Sequence, residues 1–225
     1  MDIKIRSKNI PYYNFIKDYK SVLPIWRDPR SNNHTRIQHG LTCLHELVVR
    51  CGACKLAHKC ATKVVPGTSL IAPVMIIGKN PGIYEDKGGR PFVGKEGVIL
   101  NNIIKAIGFA RANFYITNIV KCYAGGKKLT DKEINVCRPW IYTEMTLIKP
   151  RGVVLLGGRV INSFFPEITD ALKYSGKILQ KGSVKYFMFV NPSYIIKHGY
   201  TKKLKKDILK MKKFIKWCYR YEIVG

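Results

Sequence analysis

Four strand-like runs alternate along the chain with segments whose apolar residues recur at helical spacing. Val74-Met75-Ile76-Ile77 and Val153-Val154-Leu155-Leu156 are continuously apolar, as strands buried on both faces are. Residues 114–120 and 186–190 read as two more strands. Between them, residues 41–49 are helix-like, and Ile99, Ile103, Ile104 and Ile107 mark a helix over 98–107 that stops at Gly108. Thr130 and Glu133 form a T-x-x-E capping box that opens a helix reaching about residue 149. A short helix follows Gly157-Gly158 and ends by Pro166. Leu204, Ile208, Met211, Ile215 and Cys218 step by four and three, the apolar face of a core-docked C-terminal helix with lysines elsewhere around it. The alternation predicts an α/β fold, a parallel sheet covered on both faces, with no internal repeats.

The chain divides into a basic N-terminal extension, residues 1–40, and a folded domain, 41–225. In the extension Tyr12, Tyr13, Phe15, Leu23, Ile25 and Trp26 are expected to pack as a short helix and a loop. The polar stretch 27–38 reads as a loop or linker.

Three polar segments sit at the carboxyl ends of the predicted strands: Gly78-Lys79-Asn80-Pro81-Gly82, Ile116-Thr117-Asn118 and Asn191-Pro192-Ser193. In an open parallel sheet those ends converge on one crevice. Their amides and rigid turns suit reading the edge of a flat polar ring better than attacking an ester. Turn chemistry before proline is the bland account of Asn80 and Asn191.

Charge narrows the partner. The 225 residues hold 40 Lys+Arg against 14 Asp+Glu, a formal net charge of +26. A polyanion is the simplest partner and nucleic acid the commonest; an anionic membrane surface or an acidic protein complex also fits. No apolar run approaches the roughly 20 residues of a membrane span, and the N-terminus lacks a signal-peptide core. An intracellular protein is expected, and nothing in the sequence implies an obligate protein partner.

In a reducing compartment seven cysteines read as ligands or core thiols. Cys51 and Cys54 form a C-x2-C pair, Cys122 follows the second strand, and Cys137 lies inside the capped helix. Four thiolates hold either zinc or a [4Fe–4S] cluster, and spacing does not separate the two. Cys60 rivals them for a ligand position; Cys43 is spare, and Cys218 belongs to the core.

These motifs together carry a resemblance. Residues 78–94, G-K-N-P-G-I-Y-E-D-K-G-G-R-P-F-V-G, resemble the first signature of the family 4 uracil-DNA glycosylases, and residues 115–122, Y-I-T-N-I-V-K-C, resemble their Y-I-T-N-x-V-K-C segment. Residues 149–157 are similar to their strand ending in leucine and glycine. Asn191-Pro192-Ser193-Tyr194 stands where that family has H-P-S-Y. The likeness covers roughly residues 43–217. It implies a three-layer α/β sandwich around a four-stranded parallel sheet, and a [4Fe–4S] cluster on Cys51, Cys54, Cys122 and Cys137. It also implies excision of uracil or a modified pyrimidine from DNA.

Two positions depart from the family pattern, whose Glu is Lys79 here and whose His is Asn191. The pair G-x-N-P-G with N-P-S resembles instead the mismatch-specific branch of the superfamily; the single-strand-selective branch also has G-x-N-P-G. By that likeness Asn80 positions the attacking water and Asn191 holds the leaving base or the water. Gly78, Lys79, Phe92 and Asn118 contact the base, Phe92 as a flat surface and Asn118 as reader of its edge. Pro192, Ser193, Tyr194 and Lys197 contact DNA, in a loop whose apolar residue fills the gap left by the base. The rival readings are an inactive glycosylase-fold DNA-binding module and a zinc-containing nucleic-acid binder of unrelated fold.

Overall fold

The computed structural model describes residues 33–66 and 72–220. The aromatic residues assigned to the N-terminal extension, Tyr12 through Trp26, lie outside the described residues. The first helix, α1 (Asn33–Val49), starts eight residues before the predicted 41–49. Residues 33–38 are therefore helical and not a linker. Ile37 extends the apolar stripe of Leu41, Leu44 and Val48 by one turn and packs on the core, which draws this polar stretch into the helix.

The strands β1 (Val74–Gly78), β2 (Tyr115–Asn118), β3 (Gly152–Leu156), β4 (Ile178–Lys181) and β5 (Val184–Phe189) form one sheet in the order β2-β1-β3-β5-β4. The four expected strands are parallel, and β4 adds a fifth, antiparallel to β5 at the edge. A four-stranded sheet is thus corrected to five. β4 is mostly exposed and mixed in polarity, so it carries no apolar run to read. The Gly182-Ser183 hairpin turn is its only sequence signal.

Side chains alternate across this sheet. Met75, Ile77, Val153, Leu155 and Met188 pack with Leu41, Leu44, Ile141 and Val160 on one face. Val74, Ile76, Val154, Phe187 and Phe189 pack with Leu100, Ile104, Met211 and Ile215 on the other. Coverage on both sides explains the continuous apolar runs of β1 and β3. The covering helices include α3 (Lys95–Ala106), α4 (Asp131–Ile148) and the C-terminal α8 (Lys202–Tyr219). The expected capping box opens α4: Thr130 Oγ accepts from the Glu133 N–H and Glu133 Oε2 accepts from the Thr130 N–H. Cys218 is fully buried, as a core thiol should be. Three short helices remain, α2 (Ile83–Gly88), α5 (Gly158–Phe164) and α6 (Ala171–Tyr174), and one more, α7 (Pro192–His198), follows β5.

Candidate active site and thiol chamber

The carboxyl ends of the parallel strands open onto a cavity of about 380 Å³. Lys79, Asn80, Phe92, Asn118, Asn191 and Ser193 all line it, so segments more than a hundred residues apart meet there. Register brings two of them together directly, because Gly78 of β1 pairs with Asn118 of β2.

Gly78 is required by this contact. A Cβ there would overlap both Asn118 Oδ1 and the Phe92 ring. Phe92 is 7 % exposed and adopts φ 53°, a left-handed conformation that costs a non-glycine residue about 1 kcal/mol or more. It is held there by close packing: a side chain at Gly97 would overlap the Phe92 carbonyl. The loop position expected for Phe92 is what the fold has, between α2 and α3.

The three amides are polarised differently. Asn80 donates from Nδ2 to the Pro81 carbonyl at 2.8 Å, leaving Oδ1 as a free acceptor. Asn191 is the N-cap of α7: its Oδ1 accepts from the Ser193 N–H at 2.9 Å and from Ser193 Oγ at 2.8 Å, leaving Nδ2 as a donor. Asn118 is 4 % exposed, its carbonyl accepts from Lys121 Nζ at 3.0 Å, and no hydrogen bond among the described residues engages its side-chain amide. Both faces of that amide remain available to a ligand.

The segment expected as a DNA-facing loop is a helix instead. Proline at N1 and the Asn191 cap start α7, which reverses a loop reading of residues 192–196. Pro192 and Ile195 are buried, Tyr194 is half-buried against His198, and Ser193, Ile196 and Lys197 are exposed. Lys197 does not line the cavity.

Sequence reading missed three groups. Glu96 lines the cavity with Lys79, and burial and the neighbouring Glu85 push its carboxyl up. Its signal was a lone acidic residue two positions after the R-P-F-V-G turn. Glu85 and Asp86 are structural: Glu85 accepts the N–H groups of Gly82, Val93 and Gly94, and Asp86 accepts those of Ala61 and Thr62. The third is a buried network behind Asn118. Lys121, 2 % exposed, donates to Glu144 Oε1 and Thr117 Oγ, each at 2.7 Å. Tyr115 interacts with Glu144, and its hydroxyl lies 3.2 Å from His45 Nε2. Burial and the Lys121 charge lower the His45 imidazole to about 4.

Next to this network, Cys51, Cys54, Cys122 and Cys137 line one chamber together with Val120, Trp140 and Ala57. They come from the end of α1, the exit of β2 and the second turn of α4. Burial raises the Cys137 thiol to about 12 and the Cys122 thiol further. The Lys121 N–H points at Cys137 Sγ at 3.4 Å. Cys60 interacts with Cys122 but does not line the chamber, and Cys43 lies beside His39 on α1. No three His, Cys, Asp or Glu side chains among the described residues are arranged to hold one metal ion.

The family model for the uracil DNA glycosylase superfamily matches residues 67–213. The chain belongs to this superfamily. Similar curated proteins are type-4 uracil-DNA glycosylases. That of Pyrobaculum aerophilum is 38 % identical over 51 % of this chain and 59 % of its own length. That of Thermotoga maritima is 32 % identical over 76 % of this chain and 92 % of its own length. The Sulfurisphaera tokodaii protein is 35 % identical over 63 % of this chain and 65 % of its own length. The chain thus spans about three fifths of the first relative, two thirds of the third and most of the second. No helix among the described residues is long and apolar enough to cross a membrane.

Proposed function

We propose that the protein is a monofunctional DNA glycosylase that extrudes a uracil, or a modified pyrimidine, from DNA and hydrolyses its N-glycosidic bond. The observation that carries the reading is the complementary polarity of three amides around one cavity, beside an aromatic ring. The type-4 names of its relatives support uracil as the first substrate.

A base inside a duplex is out of reach of this cavity, so the nucleotide must turn out of the stack, at a cost of a few kcal/mol. Phosphate contacts from surface lysines and arginines offset that cost. Ile196, 51 % exposed on α7, is placed to enter the gap as the apolar wedge. The extruded ring lies on Phe92, and the Asn118 amide meets its Watson–Crick edge with one donor and one acceptor. Asn80 Oδ1 accepts a hydrogen bond from the attacking water and so aims its oxygen at C1′. As the bond breaks, the pyrimidine gains negative charge, and Asn191 Nδ2–H donates to it. Pro192, Ser193, Tyr194 and Lys197 bring the first turn of α7 to the DNA.

The thiol chamber fits a [4Fe–4S] cluster. The donor set is all sulfur, Cys51, Cys54, Cys122 and Cys137 together, which suits such a cluster and, as the alternative, a zinc ion. Cys51, Cys54, Cys122 and Cys137 would hold the cluster and would thereby tie the end of α1, the β2 exit and α4 together. Lys121, next to Cys122, then holds the Asn118 carbonyl and fixes the reading amide from behind.

The test is a panel of oligonucleotides carrying uracil, mismatched thymine or modified pyrimidines, scored by alkali-sensitive strand breaks. Release of uracil or of one modified base supports the reading. Tight binding without release from any member would make the chain a binding module.

A further inference from the structure

The proposed chemistry leaves one role unfilled. Asn80 orients water but is a poor proton acceptor, and the family's motif glutamate is Lys79 here. Two carboxylates line the cavity, Glu85 and Glu96. Glu85 is consumed by three backbone N–H groups that shape the turn and start α3. Glu96, at the second position of α3, has no hydrogen bond or ion pair among the described residues. It is half-buried, so its charge is incompletely solvated and ready to accept a proton. Lys79 lines the same cavity and forms no ion pair with Glu96 within 4 Å.

We infer that Glu96 is the general base and Lys79 its cationic counterpart, a carboxylate moved from the first loop of the site to the facing helix. The inference rests on the glycosylase reading. In the step, the water oxygen bonds to C1′ and the C1′–N1 bond breaks, with its electron pair leaving on the pyrimidine. The water proton passes to the Glu96 carboxylate and from there to solvent or the departed base. Lys79 and Asn191 offset the charge on that base. Glu96 also offsets the positive charge that develops on the sugar.

The test is single-turnover excision by the full chain, measured with the DNA affinity of each variant. The substrate is whichever base the wild type releases. Glu96→Gln keeps the shape and removes the base. The expected loss is at least 100-fold in rate with affinity for DNA changed less than threefold, while Glu96→Asp retains an intermediate rate. The wild-type rate should fall on the acid side with a midpoint above that of an ordinary glutamate, and this limb should be absent from Glu96→Gln. The groups facing Glu96 are Lys79, Glu85, Lys127, Tyr84 and Tyr123, with Lys95 beside it on α3; among them Glu85 is the second carboxylate, and it is held by three backbone N–H groups. A Glu96→Gln rate within threefold of wild type would overturn the inference and leave the glycosylase reading standing. A wild type inactive on every base would overturn both.

Discussion

Asn191 has two separable duties, and one substitution divides them. Its Oδ1 caps α7 through Ser193, at 2.9 and 2.8 Å, while its Nδ2 is the donor proposed for the departing base. Asn191→Asp keeps an oxygen for the cap, and aspartate is as good an N-cap as asparagine. Stability should change by no more than about 0.5 kcal/mol. The donor, however, becomes an acceptor facing an anion. Removing one such donor costs about 2.7–4 kcal/mol of transition-state stabilisation, or roughly 100- to 1,000-fold in rate. Asn191→Ala loses both duties and should also cost about 1 kcal/mol of helix capping. Single-turnover base release, with thermal melting of the same preparations, measures the two terms apart. Asn191→Asp excising within threefold of wild type would refute the donor assignment. So would a rate loss matched by an equal loss of stability.

Asn80→Ala should abolish release while leaving DNA affinity nearly unchanged, as measured by electrophoretic shift. Glu144→Ala strands the Lys121 charge and should cost about 3–5 kcal/mol by denaturant titration. Stability should also depend on pH through His45. Its imidazole titrates near 6.5 when unfolded and near 4 when folded, so the folded state prefers the neutral ring; this stability is complete above 6.5 and lost as pH falls towards 4. The gap amounts to about 3 kcal/mol at most, and His45→Gln should remove that part of the slope in melts between pH 4 and 7. Cys54→Ser should bleach the broad visible absorbance expected of the proposed [4Fe–4S] cluster and lower the melting temperature. Affinity for DNA should drop steeply with salt, by counterion release.

The parallel strands and the long helices were legible because burial on both sheet faces and helical spacing leave strong patterns. The convergence of Asn80, Asn118 and Asn191 was legible too, since the carboxyl ends of parallel strands must share one edge. β4 was not, because an exposed edge strand such as Ile178–Lys181 needs no apolar run. Nor was the start of α1, where Ile37 alone signals a buried stripe within a polar stretch. The helix at Asn191 was readable in principle from N-P-S, a cap followed by proline at N1, but the same letters also spell a turn. The polarity of Asn80 and Asn191 and the commitment of Glu85 depend on turn geometry with near neighbours, Pro81, Ser193, and Gly82, Val93 and Gly94, which residue types alone do not fix, and Glu96 has no such partner among the described residues. They emerge only from the folded chain.

The most direct test is a crystal structure of the Asn80→Ala protein bound to a duplex containing one deoxyuridine. The uracil is expected outside the helix, stacked on Phe92 with its edge within hydrogen-bond reach of the Asn118 amide and its O2 facing Asn191 Nδ2. A uracil left stacked in the duplex, or DNA seated on another face of the sheet, would contradict that placement.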